Sequence, residues 1–223
     1  MLATAALPRL RARRIARPLP APPAPAAAVR RAPLGWRLRN GLRLLRTGEL
    51  LAPLWARLAR RLGLLSGYGE VRLQVLHADG SVTDYGAAAR HVITTAGVNA
   101  LAAAFAGTDS VANWKYGGFG TGTTAAAIGD TALVTELTTQ YASSSVRPTA
   151  TQSNSTNTYT TVATLTPSSG AGTVAVTEYG RFTQSATGGG TLWDRFVFSA
   201  VNLVAANGDS LQVTETTTFP SGG

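Results

Sequence analysis

The chain has 223 residues, of which 44% are hydrophobic, so it can bury one core of ordinary size. It contains no cysteine, which excludes disulfide bonds and thiolate zinc sites, and no apolar run reaches the roughly 18 residues of a membrane-spanning helix. The charge is unevenly distributed: residues 1–66 hold fourteen Arg and one Glu, whereas residues 67–223 hold six basic and ten acidic residues. The basic character therefore belongs to the N-terminal third.

Residues 1–46 form a basic extension that is rich in Arg, Pro and Ala. Seven of the eleven prolines lie between Pro8 and Pro33, and such a composition buries too little apolar surface to offset the entropy of ordering. We predict that this extension is largely disordered on its own, with polyproline II character over residues 1–35. Two roles stay open. It is either a solvated tail, which includes the case of a start codon placed too early, or an anchor that contacts nucleic acid or another anionic surface.

An amphipathic helix is predicted over residues 47–66, which link the extension to the rest of the chain. Thr47 is a suitable N-cap, and Leu residues recur at spacings of three and four while Arg residues fall on the other side. Such a helix either packs on its own domain or a neighbouring subunit, or lies on an anionic membrane surface. The residues assigned to assembly or anchoring are Leu51, Leu54, Trp55, Leu58, Arg57, Arg60 and Arg61.

Residues 67–223 are predicted to form one β-rich domain. Apolar and polar residues alternate over short stretches, and turn residues separate these stretches. The predicted strands cover residues 71–76, 81–85, 111–116, 141–149, 158–165, 173–185, 191–199 and 211–219. A helix is predicted from a cap at Thr94 or Thr95 to Phe105, with a stop at Gly107, and a helical turn is predicted after Asp130. Turns are predicted at 77–80, 167–172, 186–190 and 207–209, and a loop at 151–157. We expect a mainly β fold, a β-sandwich or jelly-roll-like domain with one or two short helices.

The stretch from Tyr116 to Glu136 is rich in glycine, then in alanine and threonine. Gly118, Gly120 and Gly122 have a spacing similar to that of a phosphate-binding loop, but such a loop needs Lys followed by Ser or Thr, and this stretch has no Lys. A dinucleotide-binding fingerprint would need a βαβ unit, which the strand pattern does not predict. We therefore interpret these glycines as a tight backbone passage between strands.

Two carboxylates, Glu178 and Asp194, share the phase of the apolar residues in their strands, so both are predicted to point inward. A buried carboxylate requires a partner, and Arg195, Arg181 or Arg147 could form structural ion pairs with them. The alternative interpretation is a pair of carboxylates for glycoside hydrolysis. We favour the structural ion pairs, because the strand region offers few aromatic residues to line a sugar-binding cleft.

Further patterns bear on binding. A metal site or a Ser-His-Asp triad built on His77 or His91 would require long-range assembly. Trp114, Tyr116 and Trp193 are the aromatic residues that a glycan-binding site would use. The strands are rich in Thr, Ser and Asn and low in charge, which favours edge pairing between subunits, so we expect a homo-oligomer.

Four motifs follow one another along the β-rich part of the chain. They are GTGTTAAAIGDTALVTE (120–136), EYGRF (178–182), GGGTLWDRFVF (188–198) and GDSLQVT (208–214). In their order and spacing they resemble a recurring β-rich domain of tailed-bacteriophage virions, found in tail-fibre-like, minor structural and head-decoration proteins. The Asp-Gly hairpin and VITTAGVNAL (92–101) are similar as well, so the resemblance covers about residues 70–219, whereas residues 1–66 depart from it.

The resemblance implies a non-enzymatic virion protein without catalytic residues, and we expect no cofactor. The expected partners are other virion proteins of the shell or tail and further copies of the chain, with a host-surface glycan as an additional candidate. The sequence thus predicts a decoration or fibre-like protein of a tailed phage or prophage. The alternatives are a secreted or cell-surface glycan-binding module and a carbohydrate-active enzyme that uses Glu178 and Asp194.

Overall fold

The structure is a computed structural model that describes residues 28–47, 49–51, 54, 68–90 and 92–219. Within these residues the chain is mainly β, with two sheets packed face to face around a shared apolar core, which confirms the predicted fold class. The elements are β1 (Val29–Arg31), α1 (Leu34–Arg46), β2 (Tyr68–Leu76), β3 (Val82–Arg90), β4 (Val92–Ile93), α2 (Thr95–Phe105), β5 (Tyr116–Gly120), β6 (Thr151–Ser155), β7 (Thr158–Leu165), β8 (Thr173–Phe182), β9 (Leu192–Val204) and β10 (Ser210–Thr218).

The two sheets are built almost entirely from antiparallel pairs. The larger sheet has the order β1-β3-β2-β10-β7-β6, and the smaller has the order β4-β9-β8-β5. β1 is the exception, since it runs parallel to β3. The last strand, β10, lies between β2 and β7, so that Val213 is opposite Leu73 on one side and Ala163 on the other. The two ends of the β-rich part therefore meet in the middle of the larger sheet.

The core lies between the sheets because side chains alternate along each strand. In β10, Leu211 and Val213 point inward and are fully buried, while Gln212 between them is only half-buried. Tyr179 and Phe196 of the smaller sheet belong to the same buried cluster. Burying one side chain of this size contributes roughly 1.5–3 kcal/mol, so this shared layer is the main force that holds the two sheets together.

Residues 29–46 pack on the β-rich part, although they were predicted to belong to a disordered extension. β1 adds a strand to the edge of the larger sheet, and α1 lies against β3 and β9. The Trp36 indole donates a hydrogen bond to the Ser199 carbonyl at 2.8 Å, and the Asn40 amide donates to the Ala88 carbonyl at 2.9 Å. The folded unit therefore begins before the predicted boundary, because two buried side chains one helical turn apart fasten an Arg-rich helix to the sheets.

The predicted helix over 47–66 falls largely outside the described residues. Thr47 is the C-terminal cap of α1 and not the N-cap of a following helix, and Glu49–Leu51 form a 3₁₀ turn. Leu51 and Leu54 are more than half exposed. The residues of this prediction that lie outside the described part are Trp55, Arg57, Leu58, Arg60 and Arg61. None of the helices in the described part of the chain is long and apolar enough to cross a membrane.

Several predicted elements in the middle of the chain are wrong. Val111–Asn113 form a 3₁₀ turn instead of a strand, and residues 130–149 are irregular, with isolated bridges in place of a helical turn and a strand. The predicted loop at 151–157 contains β6, which pairs with β7. The physical reason is tertiary context: an exposed edge strand can consist of polar residues, and Asp130 binds an arginine instead of capping a helix.

The other elements agree well with the sequence pattern. Thr94 caps α2, since its hydroxyl oxygen accepts a hydrogen bond from the Gly97 amide at 2.9 Å. Gly107 follows this helix with a φ of 73°, a conformation that favours glycine. β7 has the predicted bounds, and β8, β9 and β10 start within one residue of the predicted positions.

Candidate functional site

Glu178 lies on the face of the smaller sheet that points away from the larger sheet, although it was predicted to point inward with Val174 and Val176. A register shift between Val176 and Glu178 turns its side chain to this outer face. The side chain is fully buried. Its Oε1 accepts hydrogen bonds from the amides of Gly122 at 3.0 Å and Thr135 at 2.8 Å, and its Oε2 accepts one from Val134 at 3.1 Å. One carboxylate thus holds both ends of the irregular chain between residues 121 and 137, which we call the cover segment.

Arg195 binds Glu178 and the middle of the cover segment at the same time. Its Nε and Nη2 lie 2.9 and 2.8 Å from Glu178 Oε2. Its Nη1 lies 2.9 Å from Asp130 Oδ2, and its Nη2 donates to the Thr124 carbonyl at 2.9 Å. The arginine is fully buried between sheet and cover. The pair therefore fastens the cover segment to the outer face of the smaller sheet.

Two of the three glycines that resemble a phosphate-binding loop in spacing, Gly120 and Gly122, lie against this carboxylate, whereas Gly118 lies against Phe182. A Cβ atom added at Gly120 would lie 2.4 Å from Glu178 Oε1, and one at Gly122 would lie 2.5 Å from the same atom. Real Cβ atoms do not approach another heavy atom so closely. The sequence-based interpretation as a tight passage agrees with this geometry, and the anion that the backbone approaches is a side chain of the same protein.

Arg147 binds the C-terminal end of the cover segment. Its Nη2 donates to Glu136 Oε2 at 2.9 Å, and its Nη1 donates to the carbonyl oxygens of Gln184 and Gly189, both at 2.8 Å. The guanidinium carbon lies 3.5 Å from the centre of the Phe182 ring, close enough for a cation–π contact. Arg147 is buried as well. It therefore joins the cover segment to the glycine-rich turn between β8 and β9.

Asp194 lies on the opposite face of the same sheet, inside the sandwich. Its cross-strand neighbour is Arg181, whose Nη2 lies 3.0 Å from Asp194 Oδ2 and 2.6 Å from Glu215 Oε1. All three side chains are fully buried. Because Glu215 belongs to β10 of the larger sheet, this cluster connects the two sheets through the core.

These positions bear directly on the paired-carboxylate hypothesis. Glu178 and Asp194 lie on opposite faces of one sheet, so they cannot flank a common glycosidic bond as the two carboxylates of a glycosidase do. Each binds its own arginine: Glu178 binds Arg195, and Asp194 binds Arg181. Arg195 is adjacent to Asp194 in sequence but points to the other face, as neighbouring residues of a strand do.

Glu215 is the second carboxylate on Arg181, and its protonation state follows from its surroundings. Burial raises the pKa of Glu215 well above its usual range, the positive charge of Arg181 opposes this rise, and the negative charge of Asp194 adds to it. Thr161 donates a hydrogen bond to Glu215 Oε2 at 3.3 Å. The folded state therefore favours the neutral, protonated form of this side chain.

Because the folded state holds this proton more tightly than the unfolded state does, we expect the free energy of unfolding to fall as pH rises. Below about pH 4.3, the pKa of Glu in an unfolded chain, Glu215 is protonated in the folded and the unfolded state, and its contribution to the free energy of unfolding is fully present. Above this pH, the unfolded state releases the proton first, so the free energy of unfolding falls by up to about 1.4 kcal/mol per pH unit until the folded-state pKa is passed. Urea unfolding between about pH 5 and pH 8 should show this decline in the wild type and not in Glu215→Gln. An equal decline in both proteins would contradict the assignment.

A histidine cluster is assembled over a long sequence separation. His77 Nδ1 lies 2.8 Å from Asp209 Oδ1, and His77 Nε2 lies 2.9 Å from Thr83 Oγ1. The order hydroxyl, imidazole, carboxylate is that of a catalytic triad. Thr83, however, is paired in the sheet with strands on both sides, and Asp209 also accepts the Val204 amide at 3.1 Å. We therefore assign the cluster to fastening the β2–β3 turn to the turn before β10.

The three aromatic residues expected for glycan binding do not meet at one site. Trp114 and Trp193 stack on each other, with ring centroids 4.4 Å apart, and both are almost fully buried. Tyr116 packs elsewhere, against Phe182 and its neighbours. The structure thus brings together two of the three residues and leaves neither indole face open to a sugar ring.

An apolar cleft of about 320 Å³ lies against the stacked indoles. Its lining is hydrophobic or aromatic throughout and consists of Leu101, Phe105, Val111, Trp114, Tyr159, Trp193 and Phe219. Specific binding of a small polar ligand needs a few convergent polar groups as well. The cleft therefore does not provide the chemistry that the glycan-binding alternative requires.

Sequence reasoning missed two of the acidic partners, Glu215 and Glu136. The signal for Glu215 was available, because it shares the phase of Leu211 and Val213 in a strand with period 2. Glu136 carried no such signal, since it lies in the irregular cover segment, where position along the chain does not predict the direction of a side chain. Both partners are needed to explain why Arg181 and Arg147 are buried.

Metal binding and similarity to known proteins add no further assignment. Within the described residues, no group of three or more His, Asp or Glu side chains is placed to hold a metal ion, and His91 lies outside those residues. Comparison of the chain with protein-family models, with curated proteins and with solved structures finds no match.

Proposed function

We propose that this chain is a non-enzymatic structural component of a tailed-phage or prophage virion that assembles on the surface of the capsid or tail. The observation that carries the proposal is the use of the charged residues in the virion-like motifs. Glu136, Glu178, Arg181, Asp194 and Arg195 all form ion pairs that hold the fold together. Their charges are used to stabilise the fold, as expected of a protein with a structural role.

The four motifs also lie together in space, which supports a scaffold role. Residues 120–136 contain most of the cover segment, 178–182 end β8, 188–198 lead into β9, and 208–214 begin β10. β8 and β9 are paired, and the cover segment and β10 bind their two faces through buried arginines. The four motifs therefore belong to one connected structural unit.

The proposed partners are other shell or tail proteins and further copies of the chain. β6 forms one edge of the larger sheet and is mostly exposed and free of charged residues. Such an edge is suited to pairing with a strand of a neighbouring subunit. Light scattering of the purified chain would measure its mass in solution, and a homo-oligomer is the expected result.

Peptide mass spectrometry on nuclease-treated, density-banded particles from an induced producer culture tests the proposal. We expect peptides from residues 70–219 in the particle band, and their copy number relative to the main shell protein would distinguish a decoration protein from a fibre. Peptides from residues 1–66 in the same band would show that the basic extension is retained. The cleared lysate is the control. Presence of the protein only outside the band would overturn the proposal.

A further inference from the structure

Helix α1 exposes a stripe of four leucines on the side opposite to its docked face. Successive residues of a helix are about 100° apart, so the leucines fall within one quarter of the helix circumference, and Trp36 and Asn40 lie on the other side. The stripe consists of Leu34, Leu38, Leu42 and Leu45, which are 66%, 61%, 56% and 63% exposed. This arrangement inverts the usual one, in which the leucines of a surface helix face the core.

Arginines border this leucine stripe on both sides. Arg39 and Arg46 lie along one border and Arg37 along the other, and α1 contains no acidic residue. Arg37, Arg39 and Arg46 form no ion pair with any described residue, whereas Arg43, on the docked side, binds Glu49. The outward face of α1 therefore combines the leucine stripe with positively charged arginines along both of its borders.

Charge decides among the surfaces that could cover this stripe. A second copy would bring the same arginines face to face, and residues 55–65 of this chain carry three Arg and no acid, so both would meet the stripe with like charge. Nucleic acid would match the arginines but leave the leucines in water. An anionic lipid surface satisfies both features, because leucines enter the acyl boundary while arginine side chains reach the headgroup phosphates.

We propose that α1 binds the surface of anionic lipid bilayers. The helix lies flat, with the leucine stripe at the headgroup–acyl boundary and Arg37, Arg39 and Arg46 on lipid phosphates. Because Trp36 and Asn40 hold the helix against the sandwich with the stripe outward, binding does not require a disordered segment to fold, and less conformational entropy is lost. This activity goes beyond the structural role proposed above.

Sedimentation of the full-length protein with lipid vesicles tests the proposal. The probes are vesicles of equal parts phosphatidylcholine and phosphatidylglycerol, and vesicles of phosphatidylcholine alone. We expect binding to the anionic vesicles that weakens with added salt. Leu38→Ser with Leu42→Ser should weaken binding at least about tenfold, and Arg37→Gln with Arg39→Gln should weaken it at least about fivefold. Val98→Ser, at an apolar residue on α2 that is 53% exposed, is the control and should bind as the wild type does.

All five substituted side chains are exposed, so the variants should keep the wild-type unfolding midpoint, which urea unfolding would verify. Three results would overturn the proposal. The first is failure of the wild type to sediment with anionic vesicles, which would leave an acidic protein as the partner of the stripe. The second is equal binding to both kinds of vesicle. The third is wild-type binding by both α1 variants, which would place the lipid contact elsewhere in the chain.

Discussion

Replacing Glu178 with Ala is expected to lower the free energy of unfolding by about 3–5 kcal/mol, which is a large part of the stability of a typical domain. The change leaves Arg195 as a buried charge without its main partner. It also removes the acceptor of three amides in the cover segment, those of Gly122, Val134 and Thr135. Urea unfolding followed by far-UV circular dichroism measures the effect, with expression as a soluble protein as the first observation.

Glu70→Gln is the matched control for this substitution. Glu70 is a partly exposed carboxylate whose Oε2 lies 4.0 Å from Arg90 Nη2, and exposed pairs of this kind contribute at most about 1 kcal/mol. The double variant Glu178→Gln with Arg195→Met removes both buried charges and should be less destabilised than the sum of the two single variants predicts. Equal stability of Glu178→Ala and Glu70→Gln would contradict the proposed role of Glu178.

Replacing Gly120 with Ala is expected to cost about 3 kcal/mol, at the upper end of the range for overpacked sites. The new Cβ would lie 2.4 Å from Glu178 Oε1 and 2.5 Å from the Thr135 carbonyl oxygen. Neither neighbour can move easily. The carboxylate is held by Arg195, and the Thr135 carbonyl oxygen accepts a backbone hydrogen bond from the Thr121 amide. The loss should appear as a lower urea midpoint with an unchanged slope.

Gly129→Ala is the control within the same cover segment. No atom lies within 4 Å of a Cβ built at Gly129, so this substitution should be neutral, or stabilising by up to about 1 kcal/mol because it restricts the unfolded chain. If Gly120→Ala were as stable as Gly129→Ala, the close approach of backbone and carboxylate would not be a requirement of the fold.

The sequence alone was sufficient for the features that depend on local pattern. Alternation of apolar and polar residues predicted the strands from β7 to β10 and the hairpin of β2 and β3, and it also predicted that Asp194 points into the sandwich. The Thr94 cap and Gly107 stop predicted α2. These predictions succeed because backbone conformation and side-chain direction within a strand or helix depend on neighbours close in sequence.

Only the tertiary structure decided which groups meet. It assigns Arg195 to Glu178 and Arg181 to both Asp194 and Glu215, because one sheet has two faces and each face is covered by a different part of the chain. The same reason explains the segments that the sequence predicted wrongly. The cover segment is ordered by a distant carboxylate, and the Arg-rich helix α1 by the sheets beneath Trp36. Their conformations are stabilised by contacts between residues far apart in sequence, which local propensity does not contain.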